Sequence, residues 1–146
     1  MSGNYLAAAP HPSPMLEVSA GIIHDGNRIL CFRKGESSRP YLSHRYEFPG
    51  GKLESGETPA QALVREFQEE LSLPVQEESL QFLCTVDYTY PDFEVRIHAF
   101  LIQYTGITPT LSEHIDMTWS YPSQAKDLEW VPADLKILQI VGDILV

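Results

Sequence analysis

Residues 50–73 read GGKLESGETPAQALVREFQEELSL, and the whole chain is best understood outward from them. Thr58 is suited to cap a helix, Pro59 to open it, and Gln61 stands three residues after the cap, as a capping box requires. Leu63, Phe67 and Leu71 recur at i, i+4 and i+8, flanked by Ala60 and Val64, and predict one core-facing stripe. Pro74 ends the helix by then.

The same stretch carries Glu54, Glu57, Glu66, Glu69 and Glu70. On a helix, Glu66, Glu69 and Glu70 are related by i+3 and i+4 and share one side, within an arc of roughly 100° beside the apolar stripe. Like charges at that spacing repel by a few tenths of a kcal/mol per pair, so something must offset them. A solvated helix face is the ordinary fate of such a run. Hard divalent cations are the other solution, and magnesium typically takes one or two carboxylates together with substrate phosphates. The spacing favours the cation. Gly, five residues, Glu, seven residues, then Arg-Glu-apolar-x-Glu-Glu has a chance frequency on the order of one in ten million per starting point at average residue usage.

Outward from this helix, Glu17–Ile23 and Arg28–Lys34 are predicted as strands joined by turn chemistry at Asp25-Gly26-Asn27. A polar loop, 35–45, leads to an extended piece at Tyr46–Phe48. Leu80–Tyr88 and Glu94–Tyr104 are predicted as strands joined through Pro91-Asp92, with Phe93, Val95, Ile97, Ala99 and Leu101 on one parity. A last short strand is expected at Asp127–Val131. A terminal helix is expected over Pro132–Val146, with Leu135, Leu138, Val141 and Leu145 on one face. Strands interleaved with two helices predict an α/β fold with a mixed sheet. Residues 1–14 are expected to be a disordered leader, and 15–146 a single domain.

Twenty acidic against ten basic residues give a formal net charge of -10, with no basic stripe for polymeric nucleic acid. No apolar run approaches the roughly 20 residues that span a bilayer, and the N-terminus lacks the pattern of a signal peptide, so the expectation is a cytoplasmic protein without membrane contact. Cys31 and Cys84 lie among apolar residues and are expected as buried thiols, not as a disulfide.

Gly51–Glu70 resembles the Nudix box, and FPGGKLESGETPAQALVREFQEEL is particularly similar to its MutT branch. The resemblance implies an α/β/α sandwich in which the box forms a loop, a helix and a second loop beside a mixed sheet. It implies that Glu69 and Glu70 bind magnesium, with manganese as a substitute, and that Gly50 adds its backbone carbonyl. Glu66 is then a further ligand or the general base. Gly51, Glu57 and Arg65 are structural, the last two pairing to hold the loop against the helix. Ser72 departs from the family, which has glycine there; in a left-handed turn it would cost roughly 1 kcal/mol.

Outside the box, Glu113 stands six residues before Trp119, as a distal metal-binding and catalytic glutamate does in similar enzymes; it is otherwise one of several polar residues in the loop SEHIDM. Arg33 and Lys34 are phosphate-binding candidates or solvated strand-end charges, and His44 and Arg45 carry weaker claims. Phe48 borders a base pocket in similar enzymes or fills the core. Asp134 matches a base-reading position or serves as a favourable charge at a helix N-terminus. Phe93 replaces a residue that can be basic in the MutT branch.

The implied activity is hydrolysis of a nucleoside triphosphate to a monophosphate and pyrophosphate, on oxidised or modified nucleotides such as 8-oxo-dGTP or on CTP-type substrates, by a monomer or homodimer. A relative acting on ADP-ribose or dinucleoside polyphosphates is the first alternative; Tyr88, Tyr90 and Pro91 lie where such relatives differ. A non-catalytic nucleotide sensor is the second.

Overall fold

A computed structural model describes residues 15–145; the leader expected at 1–14 lies outside the described residues. Among the described residues seven strands form one sheet: β1 (Met15–His24), β2 (Ile29–Lys34), β3 (Tyr46–Glu47), β4 (Gly50–Lys52), β5 (Gln81–Thr89), β6 (Glu94–Gln103) and β7 (His114–Ser120). The order is β3-β2-β1-β6-β5, with β4 pairing β1 and β7 pairing β2. β1 and β6 run parallel, Met15 opposite Glu94 through His24 opposite Gln103, while the other ladders are antiparallel. The sheet is mixed, as expected.

Helices α1 (Pro59–Leu71) and α3 (Pro132–Ile144) cover opposite faces, and α2 (Pro122–Ala125) is one short turn. Strand alternation creates two cores. Ile22, Ile29, Cys31 and Ala99 face Ile137, Leu138 and Val141 of α3, whereas Ile23, Leu30, Phe32 and Phe100 face Leu63, Phe67 and Leu71 of α1. Both cysteines are free, Cys31 buried and Cys84 partly so, and burial pushes the Cys31 thiol up to about 12.

The sequence signals at α1 appear at full strength. Thr58 Oγ1 accepts the Gln61 N–H at 3.2 Å, and Gln61 Oε1 accepts the Thr58 N–H at 3.0 Å. Ser72 takes φ 50°, ψ 37°, the left-handed conformation that a glycine would adopt without strain. Ser72→Gly is therefore expected to stabilise the chain by about 0.5–1 kcal/mol and raise Tm by about 2–4 °C. A thermal melt checks this, and an unchanged or lower Tm refutes it.

Three expectations are corrected. The strand expected at 127–131 is absent: after α2 the chain turns, Leu128 N–H donating to Ala125 O, and only Trp130 bridges Tyr46. Conversely, the loop expected around 112–117 is largely strand, with β7 paired along β2 from Ile29–Ser120 to Lys34–His114. In α3 the buried residues are Ala133, Asp134, Ile137, Leu138 and Val141, while Leu135 is 36% exposed and Leu145 lies past the helix end. Leu138 and Val141 are buried as expected, but the buried face is shifted to include Ala133, Ile137 and Asp134 in place of Leu135 and Leu145.

Candidate active site

β4 lies against β1, Gly50 opposite Ala20 and Gly51 opposite Ser19. Both glycines are dictated by space. A Cβ on Gly50 would fall on the Ser19 carbonyl, and one on Gly51 would enter the Glu66 carboxylate, 2.8 Å from Oε1. The Gly-Gly pair thus lets β4 close on β1 and seats Glu66 directly over the strand.

Arg65 is the tie between helix and loop. Its Nε and Nη2 donate to the two oxygens of Glu57 at 2.7 and 2.9 Å, and Nη2 also reaches the Lys52 carbonyl at 3.0 Å. Glu57 in turn accepts the Glu54 N–H at 2.7 Å. The Arg65 guanidinium, followed by that N–H, holds the Glu57 carboxyl down at about 2. Arg65 Nη1 further contacts Glu66 at 3.1 Å and Glu69 at 3.2 Å.

The three helix glutamates do not share one fate. Glu70 is buried; Glu66 is half-buried beside it; Glu69, with its side chain 61% exposed, lies on Arg65. Burial, reinforced by a hydrogen bond with Glu66 and the charges of Glu113, Glu66 and Glu47, raises the Glu70 carboxyl to about 9. Glu113 reaches this cluster because the segment before β7 is pinned to the end of α1: Ser112 Oγ donates to Glu70 O at 2.6 Å and Thr110 N–H to Leu71 O at 2.8 Å. Among the described residues, no three His, Cys, Asp or Glu side chains stand arranged to hold a metal ion. The donor set still fits a hard cation in kind, being all oxygen, crowded, and short of positive charge at Glu70.

Beside the carboxylates opens a cavity of about 180 Å³, whose lining includes Lys34, Glu47, Phe48, Gly50, Gly51, Tyr90, Phe93 and Asp134. Lys34 Nζ lies 3.7 Å from Glu47, whereas Arg33 turns aside and donates from Nε to the His44 carbonyl at 2.9 Å. His44 itself is exposed at φ 61°. Phe48 fulfils both of its readings: it lines the cavity and packs on Trp130 with ring centroids 4.8 Å apart.

Asp134 Oδ2 accepts the Phe48 N–H at 2.7 Å. Burial, then Glu47, pushes its carboxyl up to about 8 against the Phe48 N–H and Lys34, so at neutral pH it offers a donor as well as an acceptor. A carboxyl raised from 3.8 to about 8 binds more protons folded than unfolded across that interval. Its contribution to stability is therefore full below the lower value and is lost as pH rises through the upper one. Asp134→Asn, neutral throughout, is expected to lose less stability than the parent between about pH 5 and about pH 8 in denaturant titrations. Equal losses would mean that Asp134 is ionised when folded.

Sequence reasoning missed Glu47 and weighed His114 only as another polar residue of the SEHIDM loop. Glu47, a lone acid in Tyr46–Phe48, bonds the buried His114 through Nε2 at 3.0 Å, and His114 Nδ1 has no partner among the described residues. The alternation of Ile115, Met117 and Trp119 with Asp116, Thr118 and Ser120 was the available sign of the strand that places His114 there.

The NUDIX domain model matches residues 15–139. The chain is 37% identical over 89 residues to the 8-oxo-dGTP diphosphatase of Escherichia coli (strain K12), covering 60% of this chain and 66% of that protein. It is 32% identical over 126 residues to the CTP pyrophosphohydrolase of the same organism, covering 86% and 90%. The solution structure of the E. coli ORF135 protein superposes with a TM-score of 0.76 at 28% identity, over 90% of this chain and 91% of that one. A sheet closed by the Gly50-Gly51 loop and α1, matched over this length, means that the chain belongs to the NUDIX domain family, on its MutT-like branch.

Proposed function

We propose that the chain hydrolyses nucleoside triphosphates to a nucleoside monophosphate and pyrophosphate, using magnesium with manganese as a substitute. Oxidised or modified nucleotides such as 8-oxo-dGTP, or CTP-type nucleotides, are the proposed substrates. Nudix hydrolases generally use a divalent metal, and the named relatives act on 8-oxo-dGTP and CTP. The observation that carries the reading is a buried, charge-crowded Glu70 whose neighbour Glu47 lines a cavity together with Gly51, the seat of Glu66, and the buried Asp134.

In this reading Glu66, Glu70 and Glu113, with the Gly50 carbonyl, hold the cation, and Glu69 joins them by leaving Arg65. When bound, the cation supplies charge neutralisation along the phosphate chain and acidifies water. Glu66 orients or deprotonates the attacking water, with its carboxylate seated on Gly51 and steadied by Arg65. Lys34, on the cavity lining, contacts the phosphates, and Arg33 joins it only by leaving the His44 carbonyl. Phe48 borders the base, and Asp134 reads its edge with a donor and an acceptor.

The working unit is the domain 15–146, monomeric or homodimeric, in the cytoplasm. None of the described helices is long and apolar enough to cross a membrane.

Product analysis with 8-oxo-dGTP, dGTP, CTP, modified dCTP and ADP-ribose tests the proposal. Pyrophosphate with the monophosphate is expected from an oxidised or cytidine nucleotide, and no AMP with ribose 5-phosphate from ADP-ribose. Hydrolysis in labelled water should leave the label in pyrophosphate, the signature of attack at the β-phosphorus. Label in the monophosphate refutes that chemistry.

A further inference from the structure

The loop at 35–45 and the turn at 90–93 are remote in sequence and meet at one wall of the cavity. The loop is stapled internally: Ser37 N–H donates to Ser43 Oγ at 2.6 Å, and His44 N–H to the Gly35 carbonyl at 3.2 Å. Its tip, the turn Pro40–Leu42 preceded by Arg39, docks on Asp92. One Asp92 oxygen accepts Arg39 Nε at 2.6 Å, and the other accepts the Tyr41 hydroxyl. The Arg39 guanidinium also lies over the Phe93 ring, 4.3 Å from its centroid. Tyr41 packs on Tyr90 at 5.7 Å, and Tyr90 stacks on Phe93 at 5.0 Å.

Leu42 from the tip and Tyr90 and Phe93 from the turn all line the cavity. The Tyr90 hydroxyl then accepts the N–H of Ala133, next to Asp134. Asp92 itself is exposed and is not among the residues lining this cavity. An exposed carboxylate with two partners adds little to folding stability, so its effect must be sought in what it positions.

We propose that Asp92 is a positioning residue for nucleobase recognition: by clasping Arg39 and Tyr41 it holds the 35–45 loop shut on the 90–93 turn and fixes the wall against which the base packs. The proposal rests on the reading of the cavity as a nucleotide site. Releasing the clasp frees Leu42 and the two aromatic rings to move apart. The base then has to order them on binding, an entropic cost felt in affinity and in discrimination between bases.

Asp92→Ala is therefore expected to raise KM for the preferred triphosphate about tenfold, to leave kcat within about twofold, and to narrow the kcat/KM ratio between best and worst nucleotides. Binding of inorganic tripolyphosphate, which has no base, should be unchanged. A KM and a nucleotide ranking equal to the parent's overturn the proposal, as does a loss confined to kcat. Should Asp92→Ala fail to fold, Arg39→Gln with Tyr41→Phe opens the clasp and leaves the turn intact. If the parent hydrolyses no triphosphate, the functional reading fails separately. Equilibrium binding of 8-oxo-dGMP and CMP then decides the clasp by itself: weaker or lost binding in the variant supports it, and equal binding, or a parent that binds neither, overturns it.

Discussion

Glu70→Gln is expected to lose on the order of a thousandfold in kcat while remaining folded, because a cation clamp supplies several kcal/mol of transition-state stabilisation and each decade is worth about 1.36 kcal/mol. Glu70 is the buried member of the cluster, and Glu66, Glu113 and Glu47 all press on it electrostatically. Without a cation its carboxyl is held neutral. Glutamine copies that neutral shape, and the Ser112 hydroxyl bond goes to the Glu70 backbone carbonyl, so the local packing should persist. What glutamine lacks is the ability to become an anionic oxygen donor. Two measurements check this: pyrophosphate release at saturating magnesium, and the rise in Tm on adding magnesium, which the parent should show and the variant should lose. A variant with more than about a tenth of parental kcat would remove Glu70 from the proposed cage.

The second large effect comes from adding one methyl group at either of two neighbouring glycines, with opposite outcomes. At Gly50 the new Cβ meets the Ser19 carbonyl, which is backbone within the β1–β4 ladder and has nowhere to go. Gly50→Ala should part the strands at a cost of about 3 kcal/mol or more, and the protein should melt far below the parent or fail to accumulate. At Gly51 the Cβ meets the Glu66 carboxylate, the movable end of a side chain. Gly51→Ala should therefore fold and displace that carboxylate, lowering kcat on the order of a hundredfold, as misplacing a reacting group by about 1 Å does. Melting curves and pyrophosphate release on the pair separate the two results. Full activity in Gly51→Ala would mean that the seat of Glu66 does not matter to the chemistry, and a parental Tm in Gly50→Ala would contradict the close strand approach.

What could be read before the structure was whatever rested on local chemistry. Helix α1 announced itself through Thr58, Pro59, Gln61 and the Leu63/Phe67/Leu71 repeat, because caps and periodicity act within a few residues. The β1–β2 turn and the alternation of β6 were legible for the same reason. Global packing was not. Strand β7 looked like a loop because Ser112, Glu113, His114 and Asp116 crowd its start with polar residues, although the alternation of Ile115, Met117 and Trp119 was there to be read. The rotation of α3 depended on which of two overlapping apolar faces the sheet would accept, and it decided that Asp134 points inward.

The glutamates show the same boundary within one helix. Their spacing suggested a common side. Yet Glu70 stands three residues from Phe67, on the margin of the buried stripe, while Glu69 stands four from Arg65 and is drawn outward by it. Likewise, the raised carboxyl of Asp134 is a product of burial that no linear pattern encodes.

The parallel ladder of β1 with β6 bears on how the protein is made. Met15 waits for Glu94, 79 positions later by subtraction, and until β6 leaves the ribosome a nascent chain carries β1 with one side bare. The β1–β2 hairpin and the glutamate helix can assemble early from nearby partners, but the sheet cannot be completed until more than half of the polypeptide has been synthesised. Translation that stalls between β5 and β6 leaves an apolar strand edge open to other chains, so arrested fragments of this protein are expected to aggregate and not to linger as soluble half-domains.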